Sequence, residues 1–135
     1  MGTEVGGIDA RRRPVVRVTT PGDEIGLLAL LDTGFNGELL CNVDAARALK
    51  IKPQGDVTRV ELAGGLRQDA QYGWLQIVWL GLPRLVRVLV SSNAADARLL
   101  PNDDEPVALL GTGLLWPHLV LLDFSAGTVE IEALD

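Results

Sequence analysis

The sequence predicts a small all-β domain, closed or sandwich-like, with one or two short helices. Apolar runs of strand length recur along the chain and are separated by turns rich in glycine and proline. Helix-forming residues gather behind a start signal in only one place, after Asn42. The length, 135 residues with 47% hydrophobic side chains, suffices for one packed core and not for two domains of ordinary size. We read residues 15–135 as the domain and residues 1–14 as an N-terminal segment that need not be ordered.

Residues 15–19 alternate apolar and polar side chains, as a half-buried strand does, and Pro21-Gly22-Asp23 is a turn signal. Residues 25–31 form a nearly continuous apolar run, the pattern of a strand buried on both faces. The run stops at Asp32-Thr33-Gly34, where glycine permits a tight turn. After the short apolar segment Leu39-Leu40-Cys41, Asn42 can cap a helix reaching Lys50, with Asp44 in its first turn and Pro53 just beyond its end. Residues 57–62 and 71–80 read as strands joined by the hairpin Ala63-Gly64-Gly65-Leu66. In the second of them Tyr72, Trp74, Gln76 and Val78 share one face, Leu75, Ile77 and Trp79 share the other, and Gly73 suggests a bulge. Gly81-Leu82-Pro83 turns the chain into a strand over 85–90, and residues 102–106 read as a loop. A second buried-type run, 107–110, ends in the glycine turn Gly111-Thr112-Gly113. Residues 119–124 and 128–131 form a last hairpin around Ser125-Ala126-Gly127.

Composition removes several function classes. The net charge is -6 and no lysine-rich run is present, so nucleic acid is not an expected partner. No stretch approaches the roughly 20 apolar residues that a membrane helix requires. The Arg11–Arg13 cluster is followed by alternating residues rather than the apolar core of a signal peptide, and it reads as a solvated terminus. The single cysteine, Cys41, cannot form an internal disulfide and reads as a small buried hydrophobe, which suits a cytoplasmic protein. No histidine- or cysteine-rich cluster suggests a metal, and no cofactor is expected. Asp103-Asp104-Glu105 lacks the spacing of a calcium loop. His118, the only histidine, follows Trp116-Pro117 at the start of an apolar strand and reads as structural or surface-lying. The three tryptophans read as core or subunit interface.

The two apolar runs echo each other. Leu30-Leu31-Asp32-Thr33-Gly34-Phe35 aligns with Leu109-Leu110-Gly111-Thr112-Gly113-Leu114, sharing leucine, leucine, threonine and glycine in register. Each copy follows a buried-type strand and opens a glycine turn. This points to a pseudo-symmetric fold in which only one half carries an acid.

The segment Leu30 to Gly37, the later Leu109-Leu110-Gly111 and the following Leu114-Leu115 resemble the motifs of the retropepsin-like aspartic proteases of clan AA. Within them the chain looks most like small prokaryotic proteins whose motif reads Asp-Thr-Gly-Phe. The resemblance implies a closed β barrel, one lobe per chain, acting as an aspartic endopeptidase on peptide or protein substrates as a homodimer. Asp32, Thr33 and Gly34 would be the catalytic motif, with Asp32 from each subunit completing the site and Thr33 hydrogen-bonding across the dimer. Ala63, Gly64, Gly65 and Leu66 in a flap, and Gly111 in the second glycine turn, would bind substrate. The strand 128–131 and the N-terminal segment would lie near the subunit interface. The chemistry requires the pair, because two adjacent carboxylates share one proton: the charged member activates a water and the protonated member donates to the carbonyl oxygen.

Two other readings compete. The same fold can serve as a catalytically weak or inactive peptide-binding or dimerisation module, since an intact Asp-Thr-Gly is necessary and not sufficient. An apolar strand ending in Asp-Thr-Gly also occurs in aspartyl-phosphate phosphatases, with Asp103-Asp104 as late magnesium ligands. Those enzymes need a helix-rich α/β sheet and usually place a second acid two residues after the nucleophile, where this chain has Gly34.

Overall fold

The computed structural model describes residues 2–22, 26–61, 67–91 and 106–134. In chain order the elements are β1 (Thr3–Ile8), β2 (Pro14–Thr19), β3 (Gly26–Leu31), β4 (Leu39–Asn42), α1 (Val43–Ala48), β5 (Gln54–Glu61), β6 (Arg67–Trp79), β7 (Leu82–Ser91), β8 (Ala108–Leu110), α2 (Thr112–Leu115), β9 (Leu119–Asp123) and β10 (Thr128–Glu132). The strands form one sheet in the order β5-β6-β7-β4-β8-β3-β2-β1-β10-β9. An additional pairing, Thr19 opposite Val78, joins β2 to β6 and closes six of the strands into a barrel. The all-β closed architecture with two short helices is therefore as the sequence predicted. Among the described residues no helix is long and apolar enough to cross a membrane.

The barrel interior follows from the period-two pattern. Val16, Ala29, Leu39, Ile77, Val86, Val88 and Leu110 point inward and are almost wholly buried. β4 and β8 are buried on both faces, and β3 alternates buried with half-buried positions. A second, smaller cluster of Phe35, Leu40 and Leu109 lies outside the main core, with Leu30, Val60 and Leu89 packed against it.

Several local readings are corrected. The helix ends at Ala48, short of Lys50. Asn42 does cap it, its side chain accepting a hydrogen bond from the Ala45 N–H at 2.8 Å. At the other end the Lys50 N–H bonds the Arg47 carbonyl and the Ile51 N–H the Ala46 carbonyl, with Lys50 at φ 59°. That is a Schellman ending, which needs a left-handed residue and finds lysine there instead of glycine.

Gly73 is not a bulge. It sits in register opposite Val88, and the irregularity lies in β5, between Gln54 and Thr58. Gly73 is needed for clearance, because a Cβ there would lie 2.5 Å from the Ile51 Cγ2. The turn read at 81–83 is Leu80-Gly81, both at positive φ, as a two-residue hairpin demands, and β7 begins at Leu82.

The Arg11–Arg13 cluster builds the β1–β2 turn and is not a loose tail. The Asp9 carboxylate accepts from the N–H groups of Arg11 and Arg13 and from the Arg13 guanidinium at 2.8 Å. β1 pairs with β2 on one side and β10 on the other, and Glu4 reaches across to accept the Leu80 N–H at 2.7 Å.

Candidate active site

The sequence echo is a structural pairing. β3 and β8 run parallel as neighbours, with Leu30 opposite Leu109 and Leu31 opposite Leu110. The register continues into the turns, where the Asp32 N–H donates to the Leu110 carbonyl at 2.9 Å. Asp32 therefore stands at the end of β3 directly beside the second glycine turn.

Three contacts hold the acid's own turn. The Phe35 N–H donates to the Asp32 carbonyl at 3.1 Å, and the Gly34 N–H donates to the Asp32 carboxylate at 2.9 Å. Phe35 is buried to 1% exposure and anchors the loop from below. Asp32 is half-buried, while Thr33 and Gly34 are exposed.

Residues 32–38 are then laced to the second turn. The Gly111 N–H donates to the Glu38 carbonyl, the Thr112 N–H and hydroxyl both donate to the Phe35 carbonyl, and the Gly113 N–H donates to the Gly37 carbonyl. The fit leaves no room for side chains. A Cβ on Gly111 would lie 2.3 Å from the Gly37 oxygen and 2.5 Å from the Phe35 oxygen, and one on Gly37 would lie 2.5 Å from the Phe35 ring. Gly111 is buried, and its place in the lobe is that of a packing glycine under the acid's loop.

Glu38 is the positioning residue that pattern reading missed. Its carboxylate accepts from the Arg87 N–H at 2.9 Å and from the Arg84 guanidinium at 2.8 Å, tying the loop to β7. A lone glutamate after a glycine gives no sequence signal of such a role.

An apolar cavity of about 370 Å³ opens beside Thr33, walled by Leu31, Thr112, Leu115, Trp116 and Leu122. β5 and β6 pair antiparallel as far as Glu61 opposite Arg67. The hairpin tip that joins them, Ala63, Gly64, Gly65 and Leu66, lies outside the described residues, as do Asp103 and Asp104. Cys41 is buried within β4, and burial pushes its thiol up to about 12, so it is not a nucleophile near neutral pH. His118 is half-buried and accepts the Leu134 N–H at 3.4 Å. Of the tryptophans, Trp79 is core, Trp74 packs edge-on against Tyr72, and Trp116 is exposed. Among the described residues no three His, Cys, Asp or Glu side chains gather into a set that could hold a metal ion.

No family model matches the sequence, and no curated protein sequence matches it. Solved structures do. A retropepsin-like aspartic protease from Rickettsia conorii superposes with a TM-score of 0.63 at 17% identity, covering 96% of this chain and 89% of that one. The fold is retropepsin-like. The EIAV protease, in its complex with the inhibitor HBY-793, superposes with a TM-score of 0.52 at 23% identity over 78% of this chain and 88% of that one. A retropepsin-like fold fits the closed barrel, the size of a single lobe and the paired glycine turns at the ends of β3 and β8. It does not fit the helix-rich α/β sheet that an aspartyl-phosphate phosphatase requires.

Proposed function

We propose that this chain is an aspartic endopeptidase that works as a homodimer, hydrolysing peptide bonds with a water activated by two Asp32 carboxylates, one from each subunit. The observation that carries this reading is the pairing of the two glycine turns. Asp32 stands half-buried at a strand end on a hydrogen-bonded loop, and the neighbouring turn has no space for a second acid. The missing carboxylate therefore comes from another copy.

The chemistry follows from the pair. Two carboxylates within hydrogen-bond distance cannot both ionise cheaply, so they hold one proton between them and titrate as a unit. The ionised member takes a proton from the attacking water and the protonated member donates to the carbonyl oxygen. The Gly34 N–H bond holds the Asp32 carboxylate in one orientation for this. Thr33, exposed in the single lobe, would bond across the dimer. The hairpin at 63–66 would close over the substrate and exclude water. Peptides or proteins are the substrates on this reading, and the cytoplasm is the compartment.

The test is cleavage of a broad peptide library at mildly acid pH by wild-type protein and by Asp32→Asn and Asp32→Ala. Wild type is expected to cleave. Both variants are expected to lose all cleavage while keeping the wild-type circular dichroism and melting curve. If the purified wild-type dimer cleaves nothing, the lobe is a peptide-binding or dimerisation module instead.

A further inference from the structure

A second cavity, about 440 Å³ in volume, opens at the end of the barrel where β6 turns into β7. Its apolar walls are Leu80, Leu82, Pro83 and Ala133. Trp79, Arg84 and His118 complete it, and among the described residues no acidic side chain lines it. Neither Asp32 nor Thr33 is in its wall, so it is not the candidate active site.

The walls are fixed by contacts between distant segments. The Leu80 N–H donates to the Glu4 carboxylate at 2.7 Å, the Ala133 N–H to the Gly2 carbonyl at 3.2 Å, and the His118 N–H to the Leu115 carbonyl at 2.8 Å. Gly2, also in the wall, packs so closely on the turn that a Cβ there would collide with the Leu80 carbonyl. A space of this size between settled walls has the dimensions of a small-ligand site.

All three polar side chains in the wall are donors. Trp79 is 3% exposed, and among the described residues its indole N–H is the buried side-chain polar group without a hydrogen-bond partner. Folded proteins rarely leave such a donor unmet. Arg84 carries a permanent charge and a fork of N–H groups, of which the Glu38 bond engages one terminal nitrogen. His118 accepts the Leu134 N–H at Nδ1, which leaves the ring hydrogen on Nε2 as a donor. Strand register brings two of the three together. Trp79 lies opposite Leu82 and Ile77 opposite Arg84, so Trp79 and Arg84 are diagonal neighbours on one face of the hairpin, roughly 7 Å apart at Cβ. A wall that offers donors and no acid selects an acceptor. One cation with two neutral donors matches the single charge of a carboxylate better than the double charge of a phosphate, and the apolar walls suit an apolar body.

We propose that this barrel-end cavity binds small apolar carboxylates, with the acid group held by Arg84, Trp79 and His118 and the body lying on Leu80, Leu82, Pro83 and Ala133. The site and its test do not rest on the protease reading, since no cleavage is measured.

The probe is N-acetylphenylalanine, titrated into isotope-labelled protein, with its primary amide and inorganic phosphate in parallel. The indole N–H resonances of the three tryptophans are followed by NMR, and Trp79→Phe and Trp116→Phe assign two of them by their loss. The acid is expected to shift the Trp79 resonance with half-saturation at about millimolar concentration. The amide and phosphate are expected to bind about tenfold more weakly or not at all. Arg84→Met, which removes a charge-assisted bond, is expected to weaken the acid by about tenfold, and His118→Leu by about threefold, with circular dichroism confirming the fold of each. Should Arg84→Met fail to fold, His118→Leu and the comparison of acid with amide decide the matter. An unmoved Trp79 resonance overturns the proposal, as do equal binding of acid and amide, tighter binding of phosphate, or wild-type binding in the folded variants. A shift confined to the Trp116 resonance overturns it too, because it places the acid in the cavity beside Thr33.

Discussion

Glu4 and Glu38 are carboxylates aimed at backbone amides, and burial sets Glu4 apart from a surface acid. Burial raises the Glu4 carboxyl above its ordinary value, and the bond from the Leu80 N–H offsets only part of this. A group that holds its proton more tightly when folded gives its full stabilisation below the unfolded value and loses it as pH climbs through the raised one. Glu4→Gln keeps an acceptor for Leu80 and removes the charge. The urea midpoint of this variant should match wild type near about pH 3 and exceed it near about pH 7. A midpoint gain of equal size at both pH values would show that charge is not the cause. Gly111 supplies the steric counterpart. Its missing Cβ would meet two backbone oxygens rather than a movable side chain. Gly111→Ala should therefore cost about 1–3 kcal/mol in chemical denaturation, with residues 32–38 displaced and any cleavage lost along with order in the loop.

Among the elements, α1 shows how far six residues can be specified. Asn42 closes its start and a Schellman ending closes its finish, and Ala45 and Ala46 are the residues it buries. The ending carries Lys50 in a left-handed conformation that glycine adopts without a Cβ penalty. Lys50→Gly should raise stability by about 0.5–1 kcal/mol in thermal or urea unfolding; a loss would mean that the lysine stem packs usefully on the surface. The strands β3 and β8 were legible because both are apolar runs that stop at glycine turns. Their adjacency was legible only as an echo, since sequence similarity does not by itself specify pairing. β1 gave the weakest signal of any strand. Its two glycines, Gly6 and Gly7, dilute strand character, yet a Cβ on Gly6 would lie 2.1 Å from the Val15 carbonyl oxygen, so close pairing with β2 selects glycine. The irregularity lies in β5 and not at Gly73 for a related reason: glycine in a strand marks either irregularity or close approach, and at Gly73 the approach of Ile51 decides.

For the whole molecule, the candidate site was readable as a motif and unreadable as an assembly. Asp32, Thr33 and Gly34 announce themselves by type and spacing, and Phe35 and Gly37 belong to the same run. Glu38, Arg84 and Arg87 come together only because β7 folds back beside the acid's loop, a long-range placement with no local pattern. The same holds for the barrel-end cavity, whose walls Gly2, Trp79, Arg84, His118 and Ala133 are far apart in the chain. A two-copy enzyme has a thermodynamic signature of its own. Association that favours the folded state makes apparent stability depend on protein concentration. Melting midpoint and specific activity are therefore expected to rise together on concentration, and a melting midpoint independent of concentration, with activity strictly proportional to it, would point to a lobe working alone.

The parallel pairing of β3 with β8 also bears on how such a molecule could change over time. Adjacent parallel strands lie about 5 Å apart, so topology would permit an acid at position 111 to neighbour Asp32 within one lobe. What forbids it is the Phe35 ring and the Gly37 carbonyl already filling that volume. No point substitution at 111 can set a second carboxylate beside Asp32 within this lobe, because the new side chain would first have to evict the loop that holds the old one.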